Sequence, residues 1–221
     1  MIPNYFCRKI LSDDKLKYIR QLITAEDVEW KDGNLTVINN NQPRKKVLET
    51  FNQDIFDIIV SDLDKDMDFN SIVVPNETNN LIISKIIEGG YYKCHLDSEF
   101  AGNYSTTIFL SEPDEYVGGD LQLLIDGDIK NFKLKAGWGI TYLTGIPHQV
   151  LSVTEGVRYA GIFWSTSIIS DPFMRGIYHS LSNIQQKLDS NDIIHSDLKE
   201  FADDPSNQIE MLKKNIIRRC L

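Results

Sequence analysis

The spacing of apolar residues predicts two helices near the start of the chain. Ser12, followed by two aspartates, has the character of a helix N-cap. The apolar positions after it recur at helical spacing, which predicts a helix near residues 13–24. A second apolar stripe runs from Val47 to Ile59 and predicts another helix near residues 44–60.

From about residue 70 the pattern changes to short apolar runs, several of them alternating in polarity, between turns rich in Gly and Asp. This pattern is typical of antiparallel strands. Asp126-Gly127 is a strong hairpin-turn signal within it. The predicted strand runs are 81–87, 106–110, 121–123 and 132–134.

Helical spacing returns over residues 171–188 and again near 205–218. Helices therefore flank a central β unit, which predicts an α+β protein with a double-stranded β-helix (jelly-roll) core. The 221 residues are expected to form a single domain, 1–221. Its expected parts are an N-terminal helical support (1–69), a β core (about 70–170) and C-terminal helices (171–221).

Composition narrows the classes of function. The net charge of -9 argues against a broad nucleic-acid-binding surface, which needs clustered Lys and Arg. The three cysteines are far apart, which is a poor disulfide framework and suits a reducing compartment. No apolar run is long enough for a membrane span. We therefore expect a cytoplasmic protein that binds neither nucleic acid nor membrane.

The residues with the clearest chemistry are His95 and Asp97, which form an H-x-D motif. On a strand both side chains would point to the same face. His148 could complete a set of two histidines and one carboxylate, the pattern of non-haem Fe(II) oxygenases. A second H-x-D, His195 to Asp197, lies in a polar segment with no later histidine, and we do not expect it to bind metal.

Arg158 begins an apolar run after the third of these residues. A charged arginine in an apolar strand needs an anion. One interpretation is an ion pair with a surface carboxylate. The other is a planar guanidinium that holds the distal carboxylate of a dicarboxylic cosubstrate. The residues alone leave both interpretations open.

Four segments together resemble a known family: YYKCHLD, TIFLSEPDEYVGGD, KLKAGWGITY and the stretch from His148 to Trp164. They are similar to the PKHD-type hydroxylases, bacterial and phage relatives of the prolyl 4-hydroxylases. That family belongs to the Fe(II)/2-oxoglutarate-dependent oxygenases. The resemblance spans nearly the whole chain and is more specific than any one motif.

The resemblance implies Fe(II) and the cosubstrate 2-oxoglutarate, with ascorbate as a further candidate cofactor. Arg158 would bind the C5 carboxylate of 2-oxoglutarate, and Tyr92 and Trp164 would line the same pocket. The implied iron ligands, at the positions that match the family's motif, are His95, Asp97 and His148.

Two positions depart from the family pattern. Ile86 stands where the family usually has a tyrosine, which removes a contact with the cosubstrate. Ala101, Gly102 and Asn103 stand where the family usually has an arginine near the mouth of the barrel. The second departure leaves the preference for the prime substrate open.

The implied activity couples oxidative decarboxylation of 2-oxoglutarate by O2 to hydroxylation of a C–H bond, with a peptidyl proline as the expected substrate. Alternatives are an oxygenase that acts on a small molecule, a non-catalytic jelly-roll protein that binds or senses a ligand, and a zinc hydrolase. The family suggests the cytoplasm of a bacterium or of a phage-infected cell, and a homodimer as the candidate assembly.

Overall fold

The computed structural model describes residues 3–36, 45–98, 100–188, 200–201 and 204–221. Strands dominate the middle of the chain. In chain order they are β1 (Tyr5–Lys9), β2 (Lys31–Asp32), β3 (Lys45–Lys46), β4 (Leu48–Thr50), β5 (Pro75–Ile86), β6 (Tyr91–His95), β7 (Tyr104–Phe109), β8 (Tyr116–Gly118), β9 (Leu121–Ile125), β10 (Asp128–Phe132), β11 (Trp138–Leu143), β12 (His148–Val150), β13 (Val153–Gly156) and β14 (Arg158–Ser167).

The strands form two principal sheets and a small ribbon. The large sheet has the order β1-β11-β7-β14-β5-β4-β2, and the small sheet has the order β10-β9-β12-β6-β3. β13 and β8 form the two-stranded ribbon. The pairs are antiparallel. The predicted α+β fold with an antiparallel jelly-roll core is confirmed.

Helices precede and follow this core. They are α1 (Asp13–Thr24), α2 (Gln53–Leu63), α3 (Met67–Val73), α4 (Pro172–Leu188) and α5 (Pro205–Cys220). The prediction for α1 is confirmed, and the Ser12 side chain caps it by accepting a hydrogen bond from the backbone N–H of Lys15. The helices predicted at 171–188 and 205–218 correspond to α4 and α5. None of the described helices is long and apolar enough to cross a membrane.

The helix predicted over 44–60 is wrong in its first part, because β3 and β4 occupy residues 45–50. Lys45, Val47 and Glu49 are all buried, so burial alternates with the period of a strand. Lys45 and Glu49 form a buried ion pair. Because these inward-facing residues are charged, the pattern of apolar residues does not reveal the strand. The helix α2 begins only after Asn52, whose side chain accepts from the backbone N–H of Ile55 at 3.0 Å.

The N-terminal part is also less helical than predicted. β1 pairs with β11 and so belongs to the large sheet. The helix α3 extends beyond residue 69, so the continuous β region begins at Pro75 rather than near residue 70. The predicted strand 132–134 is shifted, since the Asp126-Gly127 turn pairs Asp128 with Ile125 and β10 then ends at Phe132.

Two apolar clusters flank the large sheet. Side chains of α1 and α2 pack on one face, with Ile19, Ile59 and Phe163 among the buried residues. The other cluster lies between the large and small sheets and includes Phe109 and Leu123. His95 ends β6, His148 begins β12 and Arg158 begins β14.

Candidate functional site

Three potential metal ligands meet at one point between the strands. His95 ends β6 and lies opposite His148, which begins β12. The Oδ1 atom of Asp97 is 3.9 Å from Nε2 of His95 and 3.7 Å from Nε2 of His148. One ligand atom from each residue lies within 4.8 Å of the others. The three side chains could therefore hold a metal ion.

Backbone carbonyl groups orient both imidazoles. Nδ1 of His95 lies 2.9 Å from the carbonyl oxygen of Lys93, and Nδ1 of His148 lies 2.9 Å from that of Ile146. Each Nδ1 therefore carries the proton and donates it, which leaves a lone pair on each Nε2 for a metal. The Tyr92 ring stacks on His95 with 3.7 Å between ring centroids and fixes the plane of that imidazole.

The electrostatic surroundings keep His95 neutral. Burial, with a smaller contribution from the adjacent His148, lowers the pKa of His95 to about 4, although a hydrogen bond to Lys93 and the charge of Asp97 act in the opposite direction. At neutral pH the imidazole therefore has no proton on Nε2. A metal ion would not have to displace one there.

The carboxylate of Asp97 is held by its other oxygen. Oδ2 accepts hydrogen bonds from the hydroxyl of Ser105 at 2.6 Å and from Nε1–H of Trp164 at 2.9 Å. Oδ1 is thereby directed to the two histidines. Sequence reasoning expected Trp164 to wall a pocket and did not identify Ser105. In the structure both residues bind the carboxylate itself.

Arg158 is a buried cation without a described counter-ion. Its side chain begins β14 and is 1% exposed, and its guanidinium carbon lies 5.4 Å from the ring centroid of Phe109. Nε and Nη2 have no hydrogen-bond partner, and within the described ranges no carboxylate lies within 4.0 Å. Burial lowers the pKa of Arg158, while Tyr116, Tyr142 and the more distant carboxylate of Asp120 oppose that fall, and the guanidinium remains charged. The surface ion pair that sequence left open is not what these residues form.

Tyr142, which sequence reasoning did not identify, lies between these two groups. Its ring meets the edge of His148 with centroids 5.3 Å apart. Burial raises the pKa of Tyr142 well above its usual value, Asp97 raises it further, and Arg158 opposes the rise. The hydroxyl therefore keeps its proton and is close enough to respond to both charges. All four residues from Gly139 to Tyr142 are buried, so no alternation along this strand singles out Tyr142.

Both departures from the family pattern have a structural role here. Ile86 lies directly across from Arg158 in the large sheet and packs with Tyr116 in a small buried cluster. The Asn103 side chain accepts a hydrogen bond from the backbone N–H of Ser167 at 2.7 Å, which ties this loop to β14. The second H-x-D, at residues 195–197, lies outside the described residues.

Comparison with known proteins identifies the family. No protein-family model matches the chain. A PKHD-type hydroxylase from Synechococcus sp. (strain JA-2-3B'a(2-13)) is 32% identical over 206 residues, which is 86% of this chain and 90% of the relative.

Two solved structures share the fold. A prolyl hydroxylase from Trichoplax adhaerens, in complex with a hypoxia inducible factor peptide fragment, has a TM-score of 0.62, 13% identity and coverage of 81% of this chain and 87% of that one. A Pseudomonas putida prolyl-4-hydroxylase has a TM-score of 0.53, 15% identity and coverage of 74% and 92%. Because the sequence match extends over most of both proteins and the jelly-roll fold agrees with it, the chain belongs to the PKHD-type hydroxylases.

Proposed function

We propose that the protein is an Fe(II)- and 2-oxoglutarate-dependent hydroxylase, formed as a single domain. His95, Asp97 and His148 would hold the iron, and Arg158 would bind the distal carboxylate of 2-oxoglutarate. The observation that carries this proposal is the pairing of a His-Asp-His cluster with a buried arginine that lacks a described counter-ion. A metal hydrolase has no need of such an arginine.

The donor set fits Fe(II). Two imidazole nitrogens and one carboxylate oxygen on one side leave the remaining coordination positions open. When bound, Fe(II) with 2-oxoglutarate and O2 supplies the oxidising power for C–H hydroxylation. The chain's own contribution is position: backbone carbonyls set the imidazoles, and Ser105 and Trp164 hold Oδ2 of Asp97.

Arg158 would supply orientation at the other end of the cosubstrate. A guanidinium binds a carboxylate through parallel N–H groups, and burial strengthens that interaction because water is excluded. The face of Phe109 lies against the guanidinium and keeps its surroundings apolar. Tyr142, whose ring meets the edge of His148, keeps its hydroxyl proton because burial raises its pKa well above the ordinary value.

The proposed substrate is a peptidyl proline. The Trichoplax adhaerens neighbour binds a peptide fragment, and the PKHD-type relatives are hydroxylases. Leu96 precedes Asp97, and Phe100 follows it by three residues; their side chains are 58% and 88% exposed and so offer apolar surface that a peptide could cover. Dependence on ascorbate, a homodimeric assembly and a cytoplasmic location remain predictions from the sequence.

An anaerobic titration tests the cofactor chemistry. Adding Fe(II) and then 2-oxoglutarate to the metal-free protein should give the visible charge-transfer band of the chelate, and admitting O2 should release succinate. Asp97→Ala should abolish both signals, because the carboxylate ligand is lost. Asp128→Ala, which removes an exposed carboxylate on β10, should leave them intact. A protein that binds the metal but forms no band with 2-oxoglutarate would contradict the proposal.

A separate measurement identifies the substrate class. Proline-containing peptides and free amino acids are incubated with the loaded enzyme, and mass spectrometry detects the gain of one oxygen atom. Oxygen transfer to a peptide supports the proposal. Transfer to free amino acids only would assign the enzyme to small molecules, and binding of 2-oxoglutarate without any succinate would indicate a non-catalytic binding protein.

A further inference from the structure

A buried ion pair joins the two principal sheets. Lys45 lies on β3, at the edge of the small sheet, and Glu49 lies on β4 of the large sheet, with only Val47 between the two strands. The two side chains are 4% and 10% exposed, and the ammonium contacts the carboxylate directly. A Cβ atom on Gly33 would lie 2.9 Å from that carboxylate, so the glycine leaves the space that Glu49 occupies. The fold therefore encloses this pair.

Stability alone does not account for a charged pair at this position. Taking two ions out of water costs about as much free energy as their mutual attraction returns. Buried ion pairs can often be replaced by apolar residues of similar volume without loss of stability. The other neighbours of Lys45 therefore indicate the role of its charge.

The Lys45 ammonium lies against the ring of Tyr92. The two residues are strand partners on β3 and β6, and Nζ of Lys45 is 4.9 Å from the centroid of the Tyr92 ring. A cation at this distance is attracted by the electrons of the ring face. Because Glu49 fixes the ammonium, this attraction also limits where the ring can lie.

The same ring contacts a proposed metal ligand. Tyr92 stacks on the imidazole of His95 with 13° between the two ring planes. The Lys93 carbonyl oxygen holds Nδ1 of His95, and the stacked ring sets the tilt of the imidazole. Burial and His148 are the larger causes of the lowered pKa of His95, and the charge of Lys45 acts in the same direction, which shows that Lys45 is near. Contacts thus run from Lys45 through Tyr92 to His95.

We propose that Lys45 is a positioning residue for the metal site, and that its ammonium, fixed by Glu49, holds the Tyr92 ring against His95 so that Nε2 of His95 is directed to the metal. This inference rests on the proposed function, since it concerns how firmly the proposed ligands hold the iron. It gives the two short strands before α2 a part in metal binding.

The test measures metal binding in a variant that keeps this region packed. Lys45→Met/Glu49→Met replaces both charges by apolar side chains, so no unpaired charge is buried and the protein should fold. Co(II) is titrated into the metal-free protein without O2, because its visible absorption bands report the coordination geometry. We expect the Co(II) affinity to fall by about tenfold and the bands to change, since the imidazole is no longer held in one orientation. Lys46→Met, on the exposed side of β3, should bind Co(II) like the wild type.

Urea unfolding checks that the double variant is folded. Lys45→Gln/Glu49→Gln keeps a neutral hydrogen-bonded pair and replaces it in the comparison if the apolar pair is not tolerated. Wild-type Co(II) affinity and an unchanged spectrum in the folded double variant would overturn the inference.

A double-mutant cycle tests whether Lys45 acts through Tyr92. Tyr92→Leu removes the ring and should itself weaken Co(II) binding by about tenfold. Adding Lys45→Met/Glu49→Met to Tyr92→Leu should cause little further loss, because the cation then has no ring to hold. Additive losses would show that Lys45 acts without Tyr92, and would overturn the inference.

His95→Ala separates this inference from the proposed function. If it binds Co(II) as the wild type does, the proposed metal site fails, and the inference fails with it. If His95→Ala loses Co(II) binding while the variants of Lys45 and Glu49 keep it, only the inference about Lys45 fails.

Discussion

The two carboxylate oxygens of Asp97 have different neighbours. Oδ1 lies toward the histidines, while Oδ2 is occupied by Ser105 and Trp164. A carboxylate that rotates freely would not present one fixed oxygen to a metal ion. One that is hydrogen-bonded on the far side presents a single oxygen to a metal. The geometry of the proposed metal site therefore depends on Ser105 and Trp164, which are not themselves proposed metal ligands.

Replacing Trp164 by phenylalanine tests this dependence. The change keeps an aromatic ring but removes the N–H that donates to Oδ2 of Asp97. We expect the affinity for Fe(II) or Zn(II) to fall by about 10- to 100-fold. Competition with a chromogenic chelator measures it. Trp138→Phe, at a partly exposed tryptophan on β11, should bind metal like the wild type. Unchanged affinity in Trp164→Phe would mean that Ser105 alone orients the carboxylate.

The low pKa of His95 predicts a pH dependence of the metal-free protein. The pKa of this side chain is about 4 in the folded chain, and that of an unfolded histidine is about 6.5. Between these values the unfolded state binds more protons. Stability should therefore be greatest above pH 6.5 and fall as the pH drops toward 4, by about 1–2 kcal/mol at pH 5.

Urea unfolding of the metal-free protein at pH 7.5 and at pH 5 measures this effect. His95→Asn removes the titrating group, so its loss of stability between the two pH values should be smaller than that of the wild type. Equal losses in the two proteins would show that other groups account for the acid sensitivity.

At the scale of elements, the backbones of β8 and β13 lie close together in the two-stranded ribbon. Gly156 has a φ of +77°, and a Cβ atom placed there would lie 2.1 Å from the carbonyl oxygen of Glu115. Gly156 pairs directly with Tyr116. The position of the Tyr116 ring therefore depends on the absence of a side chain on the neighbouring strand.

Gly156→Ala should destabilise the protein by about 1–3 kcal/mol, because the new methyl group faces both a positive φ and a clash with the backbone of β8. It should also weaken 2-oxoglutarate binding, because a displaced β8 moves Tyr116, which lies beside Arg158. Gly127→Ala is a matched control. Gly127 also has a positive φ, of +89°, but a Cβ atom there would meet nothing within 4 Å. It should cost some stability and leave ligand affinity unchanged. If both variants reduce affinity equally, the ribbon geometry is not what positions the ring. Urea unfolding and calorimetry provide the two readouts.

Sequence predicts best those elements whose signals are local. The start of α1 could be predicted because the N-cap residue Ser12 and the apolar stripe both indicate a helix there. The strands before α2 could not be predicted, because the ion pair that makes Lys45 and Glu49 suitable for burial forms only in the folded chain. His95 and Asp97 are only two residues apart in the chain, so the sequence could place them together, although β6 ends at His95 and Asp97 lies just beyond it. The contacts of Tyr116 depend on pairing between distant strands, which no short pattern specifies.

At the scale of the whole molecule, the candidate site joins the two principal sheets. His95 and His148 lie on β6 and β12 of the small sheet, and Arg158 begins β14 of the large sheet. Sheets packed face to face are about 10 Å apart. The apolar side chains between the sheets, including Phe109 and Leu123, set that separation here.

Leu123→Ala should therefore affect function as well as stability. Leu123 is fully buried and is the strand partner of His148. Truncation should cost about 2–5 kcal/mol in urea unfolding, and it should weaken 2-oxoglutarate binding in calorimetry because the histidine strand can shift. Leu124→Ala, on the exposed side of the same strand, should change neither quantity much. Full affinity in a destabilised Leu123→Ala would show that the spacing of the site does not depend on this contact.

With the two proposed iron-binding histidines on the small sheet and Arg158 on the large sheet, the separation of the sheets would limit the length of the cosubstrate that fits between them. The length of molecule that fits is then fixed by the interior, where neighbouring side chains constrain one another, and not by the loops at the rim. Loops such as the one around Phe100 can change between related enzymes without altering that length. New substrates can therefore be acquired at the rim while the cosubstrate stays the same.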